Sequence, residues 1–214
     1  MTHTRARPVI TRGPIRVVGK FPSKKSGRSL HWESQLERDR MFMLEFDPEV
    51  LSFKEQPKTY NVIVNGELRR YTPDLEIITR TGTVVEEVKP ADKVAQYTEL
   101  FRAMPDVLAD EGKFFSVVTD QDIRREPYLS NIKNILWFRH FKLPTALIDR
   151  VMTDVAQLTS PRFGQLKELL SGYGTEPAAP WSFLAHQLLL TDYNSKITDE
   201  SLINLNHGEW SCQQ

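Results

Sequence analysis

Two turns constrain this chain more than any other feature, because together they force the segment between residues 59 and 89 into an up-and-down β arrangement. Residues 59–64 alternate and are β-branched, and Asn65-Gly66 is a strong type I′ hairpin signal. A returning strand from Glu67 runs through Tyr71 and Asp74 to Ile78, and a second turn at Arg80-Thr81-Gly82 sends residues 83–88 back beside it. Centred between Arg80 and Thr81, that turn pairs residues whose numbers sum to 161, which sets Asp74 opposite Glu87. Directly opposed residues lie about 5 Å apart at Cβ. Lys89, two positions beyond Glu87, shares its face of the strand.

Two carboxylates and an amine so placed suit phosphodiester hydrolysis, which needs an in-line nucleophile, neutralisation of charge on the phosphate and help for the leaving oxygen. Asp74 and Glu87, with the Val88 carbonyl as a further oxygen, form half of an octahedral shell for Mg²⁺, with Mn²⁺ as a substitute. Lys89 is then placed to orient or deprotonate the attacking water and to stabilise developing charge. Glu76 shares a face with Asp74, and Glu86 adjoins Glu87, so each competes for a role. The spacing to Lys89 favours Glu87.

The rest of the chain frames this segment. Trp32, Leu36 and Met43 recur at helical spacing, predicting a helix over residues 30–46 that Asp47-Pro48 closes. A short strand follows at residues 50–53. Residues 94–108 read as a helix that Pro105 bends or ends, 114–118 as a strand buried on both faces, and 128–141 as a helix. The fold class expected is α/β, a mixed sheet flanked by helices. After a boundary at Leu143-Pro144 come three helical segments and a terminal strand, a pattern compatible with a small, mainly helical, winged-helix-like domain.

Charge is unevenly spread along the 214 residues. The first 30 carry eight basic residues and no acid, whereas the remainder has 20 basic and 28 acidic ones, so the two parts stand at +8 and −8. Residues 1–29 are expected to be a basic arm. Its Arg12, Arg16, Lys20, Lys24, Lys25 and Arg28 either contact nucleic-acid phosphate or form a solvated tail. Residues 144–214, with four basic and eight acidic residues, are better suited to docking a protein than to reading DNA. The single cysteine, Cys212, excludes a disulfide framework or a cysteine-cluster zinc site. No apolar run resembles a membrane span or a leader, so no membrane association and a cytoplasmic location are expected.

Beyond these readings, an ordered series resembles a known family. It comprises Ser34-Gln35-Leu36-Glu37, Phe46-Asp47, Val50-Leu51, Lys54-Glu55-Gln56-Pro57, Tyr71-Thr72-Pro73-Asp74, Glu87-Val88-Lys89-Pro90-Ala91 and Phe115-Ser116-Val117-Val118-Thr119-Asp120 before Asn131-Ile132. The series is similar to TnsA, the endonuclease subunit of heteromeric cut-and-paste transposases, over about residues 30–142. Pro73-Asp74 and Glu87-Val88-Lys89 match its PD-(D/E)XK motif. The resemblance implies a restriction-endonuclease-like domain over residues 30–143, with Glu37 reaching from the first helix to join Asp74, Glu87 and Lys89. It also implies Mg²⁺-dependent nicking of the 5′ side of double-stranded transposon ends, in the bacterial nucleoid. A TnsB-type DDE transposase would cut the 3′ side, and a TnsC-type AAA+ ATPase would dock on the domain at residues 144–214. The family's best-known member has Gln-Val-Lys where this chain has Glu87-Val88-Lys89, and glutamate is the better metal ligand. A stand-alone restriction-type or repair nuclease, or a non-catalytic DNA or protein adaptor, are the alternatives.

Overall fold

The computed structural model describes residues 17–206. The chain divides into two compact units after Arg125.

The first unit opens with a hairpin, β1 (Gly19–Ser23) and β2 (Arg28–Trp32), turned at Gly27 with φ 65°. A helix over residues 30–46 had been expected to start where β2 lies. Leu30 and Trp32 are buried two apart, so their apolar signal belongs to a strand, and α1 (Gln35–Phe46) begins only after the cap Ser34. Then come β3 (Val50–Glu55), β4 (Tyr60–Val64), β5 (Glu67–Tyr71), β6 (Leu75–Thr79), β7 (Thr83–Lys89), α2 (Ala91–Val94), α3 (Thr98–Ala109), β8 (Lys113–Thr119) and α4 (Asp120–Ile123).

Four strands form a mixed sheet in the order β3-β6-β7-β8, with only β7 and β8 parallel. Val85 and Glu86 on β7 point to opposite faces. Glu86 meets Arg40 of α1, whereas Val85 joins Tyr60, Val62 and Val64 of β4 with Met104 and Leu108 of α3 in one core. The sheet is therefore flanked by helices on both faces, as expected of this α/β chain. The single strand expected from Glu67 to Ile78 is broken at residues 72–74, where Pro73 offers no N–H to a ladder. That break releases β4 and β5 as a separate hairpin, closed by Asn65 and Gly66 at φ 53° and 80°. β8 is an edge strand with Phe114 64% exposed, not the doubly buried strand its apolar run suggests.

Two expected boundaries move. The arm was expected to reach residue 29, but residues from Gly19 onward belong to the β1–β2 hairpin. Lys25 Nζ donates to the Leu44 carbonyl at 2.9 Å and to the Asp47 carbonyl, satisfying orphan acceptors at the end of α1. Arg28 is paired with the buried Glu55 at 2.6 Å. These two cations are engaged by the fold, while Lys20 and Lys24 are exposed. Arg12 and Arg16 lie outside the described residues.

The second boundary falls after Arg125 rather than at 143/144. α5 (Tyr128–Trp137) buries Leu129, Ile132, Ile135 and Leu136 within the second unit, where Asn131 Nδ2 donates to the carbonyls of Tyr193 and Ser195 at 2.9 and 2.8 Å. That unit continues with α6 (Thr145–Ala156), α7 (Phe163–Gly172), α8 (Ala179–Ala185) and an antiparallel pair, β9 (Leu189–Thr191) and β10 (Ile203–Leu205). Phe163, Leu166, Leu170, Phe183 and Leu184 fill its core, and Trp181 packs edge-on against Phe163 at 4.7 Å. Among the described residues no helix is long and apolar enough to cross a membrane.

Candidate active site

The ladder between β6 and β7 pairs Leu75 with Glu86, Glu76 with Val85, Ile77 with Val84 and Ile78 with Thr83, each summing to 161. Asp74 lies one step beyond its end. Its Oδ2 accepts the Val88 N–H at 3.0 Å, and its carbonyl accepts the Gln56 N–H at 2.8 Å. Asp74 is thus pinned between β3 and β7 by its side chain and its main chain at once. The contact with Val88 is made by that residue's N–H, not by the carbonyl considered as a ligand.

Glu87 is 3% exposed. Lys89 forms an ion pair with its Oε1, and the Tyr71 hydroxyl donates to its Oε2 at 2.5 Å. The Lys89 ammonium also lies 4.9 Å from the centre of the Tyr97 ring, which stacks on Phe101. Tyr71 and Tyr97 are participants that the strand pattern did not single out. Tyr71 stands in the motif, immediately before Thr72-Pro73-Asp74, but only the break after β5 turns it toward Glu87.

Glu37 sits in the first turn of α1, tied to the residues that cap the helix. Ser34 Oγ accepts the Glu37 N–H at 3.1 Å, and Glu37 Oε2 accepts the Glu33 N–H at 2.9 Å. Capping alone accounts for a glutamate here, but this one also feels the centre. Burial raises the Glu37 pKa, and the nearby charges of Glu33 and Glu87 add to it against the Glu33 N–H and Ser34.

Asp74 shows the same effect more strongly. Burial raises its pKa well above the ordinary value, Glu87 and Glu37 push further, and the Val88 N–H and Lys89 only partly oppose them. For Lys89, burial works against the charge, but Glu87, its hydrogen bond and Asp74 outweigh it and raise the pKa. The lysine is accordingly held as an ammonium, suited to stabilising negative charge rather than to taking a proton. Burial and Glu87 likewise push the Tyr71 pKa upward, so its hydroxyl remains a donor.

The competing acids are engaged elsewhere. Glu86 receives Arg40 through two hydrogen bonds of 2.8 and 2.9 Å on the α1 side of the sheet. Glu76 is bridged by Lys54 at 2.5 Å and Lys113 at 2.8 Å. His31 lies 3.6 Å from Glu55 through Nδ1.

Glu87 therefore pairs with Lys89 beside Asp74, and Glu37 adds its charge at Asp74 from α1. Among the described residues, no group of three or more His, Cys, Asp or Glu side chains forms a ready cage for a metal ion. Mg²⁺ seldom needs one, since it keeps several waters and rests on one or two carboxylates plus substrate phosphate. Asp74 and Glu87 would be the carboxylates to hold such an ion, and its charge would favour the ionised Asp74 that burial and the neighbouring acids oppose. No protein family model and no curated protein sequence matches the chain.

Proposed function

We propose that the chain is a metal-dependent DNA endonuclease subunit of TnsA type, with a restriction-endonuclease-like first unit that nicks the 5′ strand at transposon ends. The observation that carries this reading is the junction of β6 and β7, where Asp74 is bonded to Val88 between Glu87 and Lys89 while Glu37 comes within electrostatic reach from α1. In this reading Asp74 and Glu87 hold Mg²⁺ (or Mn²⁺), with Glu37 as a further acid of the centre. The ion would supply Lewis-acid stabilisation of the phosphate and would make a water more acidic. Lys89, kept charged by Glu87 and Asp74, faces the charge that builds on the phosphoryl oxygens. Tyr71 and Tyr97 fix the positions of Glu87 and Lys89.

Residues 144–214, with helices α6, α7 and α8 and the β9–β10 pair, are read as winged-helix-like, and their four basic and eight acidic residues suit docking a TnsC-type AAA+ ATPase. A TnsB-type DDE transposase would make the complementary cut. The basic residues ahead of β1 would contact phosphate.

The test is a strand-specific cleavage assay on end-containing duplex with both partners and Mg²⁺. Asp74→Ala, Glu87→Ala and Lys89→Ala should each abolish 5′ cleavage while 3′ cleavage persists. Complete double-strand excision by any of them would remove the assignment. Cutting by the isolated chain at a sequence unrelated to such ends would instead favour a stand-alone nuclease.

A further inference from the structure

We infer that Gln56 is a further oxygen donor of this same centre, its amide carbonyl helping to hold a hydrated divalent cation beside Asp74; the inference rests on the metal-dependent reading above. Its position comes from register. The β3–β6 ladder pairs Phe53 with Ile77, Lys54 with Glu76 and Glu55 with Leu75, each summing to 130. The next step is Gln56 with Asp74, joined by the 2.8 Å bond from the Gln56 N–H to the Asp74 carbonyl. The neighbouring ladder ends at Leu75–Glu86, and continued one step its register of 161 would set Asp74 beside Glu87. The registers of both ladders, continued one step past their ends, therefore align Gln56 and Asp74 with Glu87 of β7, each step about 5 Å wide.

Two features set Gln56 apart from its neighbours. Its backbone is left-handed at φ 42°, a conformation disfavoured for a residue bearing Cβ and retained only where the surroundings impose it. Its side chain is enclosed, with the residue 2% exposed, and Oε1 meets no hydrogen-bond donor. Lys54 and Glu55, which precede it, are both satisfied, by Glu76 and by Arg28. A buried amide oxygen without a donor is a cost to the fold that apolar residues would avoid. It is also a hard oxygen of the kind that binds Mg²⁺ directly or accepts a hydrogen bond from one of its waters. The backbone of Gln56 is bonded to that of Asp74, and the unsatisfied acceptor would gain a partner from an ion held there.

The experiment titrates the full chain with Mn²⁺, followed by the electron spin resonance of free ion, and with Mg²⁺ by calorimetry. It compares wild type with Gln56→Met, Gln56→Glu and Asp74→Ala, and records the melting temperature of each without metal. Gln56→Met keeps the volume and removes the acceptor. It should weaken Mn²⁺ binding by about 10-fold or more, while raising the metal-free melting temperature. Gln56→Glu, which keeps an oxygen, should bind at least as tightly as wild type. Wild-type affinity in Gln56→Met, or weaker binding in Gln56→Glu, overturns the inference while leaving the centre standing. Equal binding by wild type and Asp74→Ala removes the centre itself, and the inference with it.

Discussion

Two acidic clusters share one sheet and are built in opposite ways. Around Glu76, two lysines face a nearly buried carboxylate, and a further acid, Glu111, takes Lys58 and the second side of Lys113. Burial alone would raise the Glu76 pKa, yet Lys113 and Lys54 outweigh it and lower it. At Asp74 burial raises the pKa, the charges of Glu87 and Glu37 push it further, and Lys89 only partly opposes them. Asp74 directly precedes β6 and Glu76 stands within it, two residues on. The same part of the sheet thus carries one carboxylate that two lysines neutralise and one whose neighbouring acids outweigh its single lysine.

The comparison can be broken most forcefully at Asp74. Asp74→Ala or Glu87→Ala should lower 5′ nicking by on the order of 10³-fold or more, whereas Glu76→Gln should leave it within about 2-fold, measured as initial rates in the strand-specific assay. Equal losses at both positions would erase the distinction.

Stability should move with the opposite sign. Glu76→Gln strands two lysine ammonium groups and should cost about 1–2 kcal/mol after allowing for their partial exposure. Asp74→Asn removes repulsion and should stabilise the metal-free protein by about 1 kcal/mol, both read from urea midpoints.

The pH dependence sharpens the same contrast. Asp74 binds its proton more tightly folded than unfolded, so its contribution to metal-free stability is greatest at or below the ordinary carboxylate pKa of about 4 and falls as pH rises through its raised value. Glu76 behaves inversely: its contribution is present above the ordinary pKa and is lost as pH falls through its lowered value. Wild type should therefore lose stability on going from mildly acidic to neutral pH, and Asp74→Asn should flatten that decline in denaturation curves taken across the range.

The smallest effect concerns charges outside both clusters. Removing residues 1–16 deletes Arg5, Arg7, Arg12 and Arg16 but spares the β1–β2 hairpin with Lys25 and Arg28. It should leave the melting temperature unchanged and reduce the salt slope of DNA binding by up to about 3–4. An unchanged slope would return those arginines to the role of a solvated tail.

Much of the sheet was legible beforehand because its signals are local. The two turns, the pairing sum of 161 and the common face of Glu87 and Lys89 follow from backbone geometry that needs no knowledge of distant residues. Glu37 was reached differently, through a resemblance, and its capping bonds with Ser34 and Glu33 emerged only in three dimensions. Nothing local reveals that Lys54 and Lys113 take Glu76, or that Arg40 takes Glu86 from the opposite face.

By itself, then, the sequence determined the alternation of strands and helices, the hairpin at Asn65-Gly66 and the row on which Asp74 and Glu87 stand. Periodicity and turn chemistry act within a few residues, and those features require no more. Tertiary structure alone decided that residues 19–32 join the first unit as a hairpin and that α5 belongs to the second. It also decided which acids are neutralised and which are left in deficit. The physical reason is that burial and charge balance depend on what packs against a residue from far along the chain, and an apolar or acidic residue reads the same whichever partner it meets.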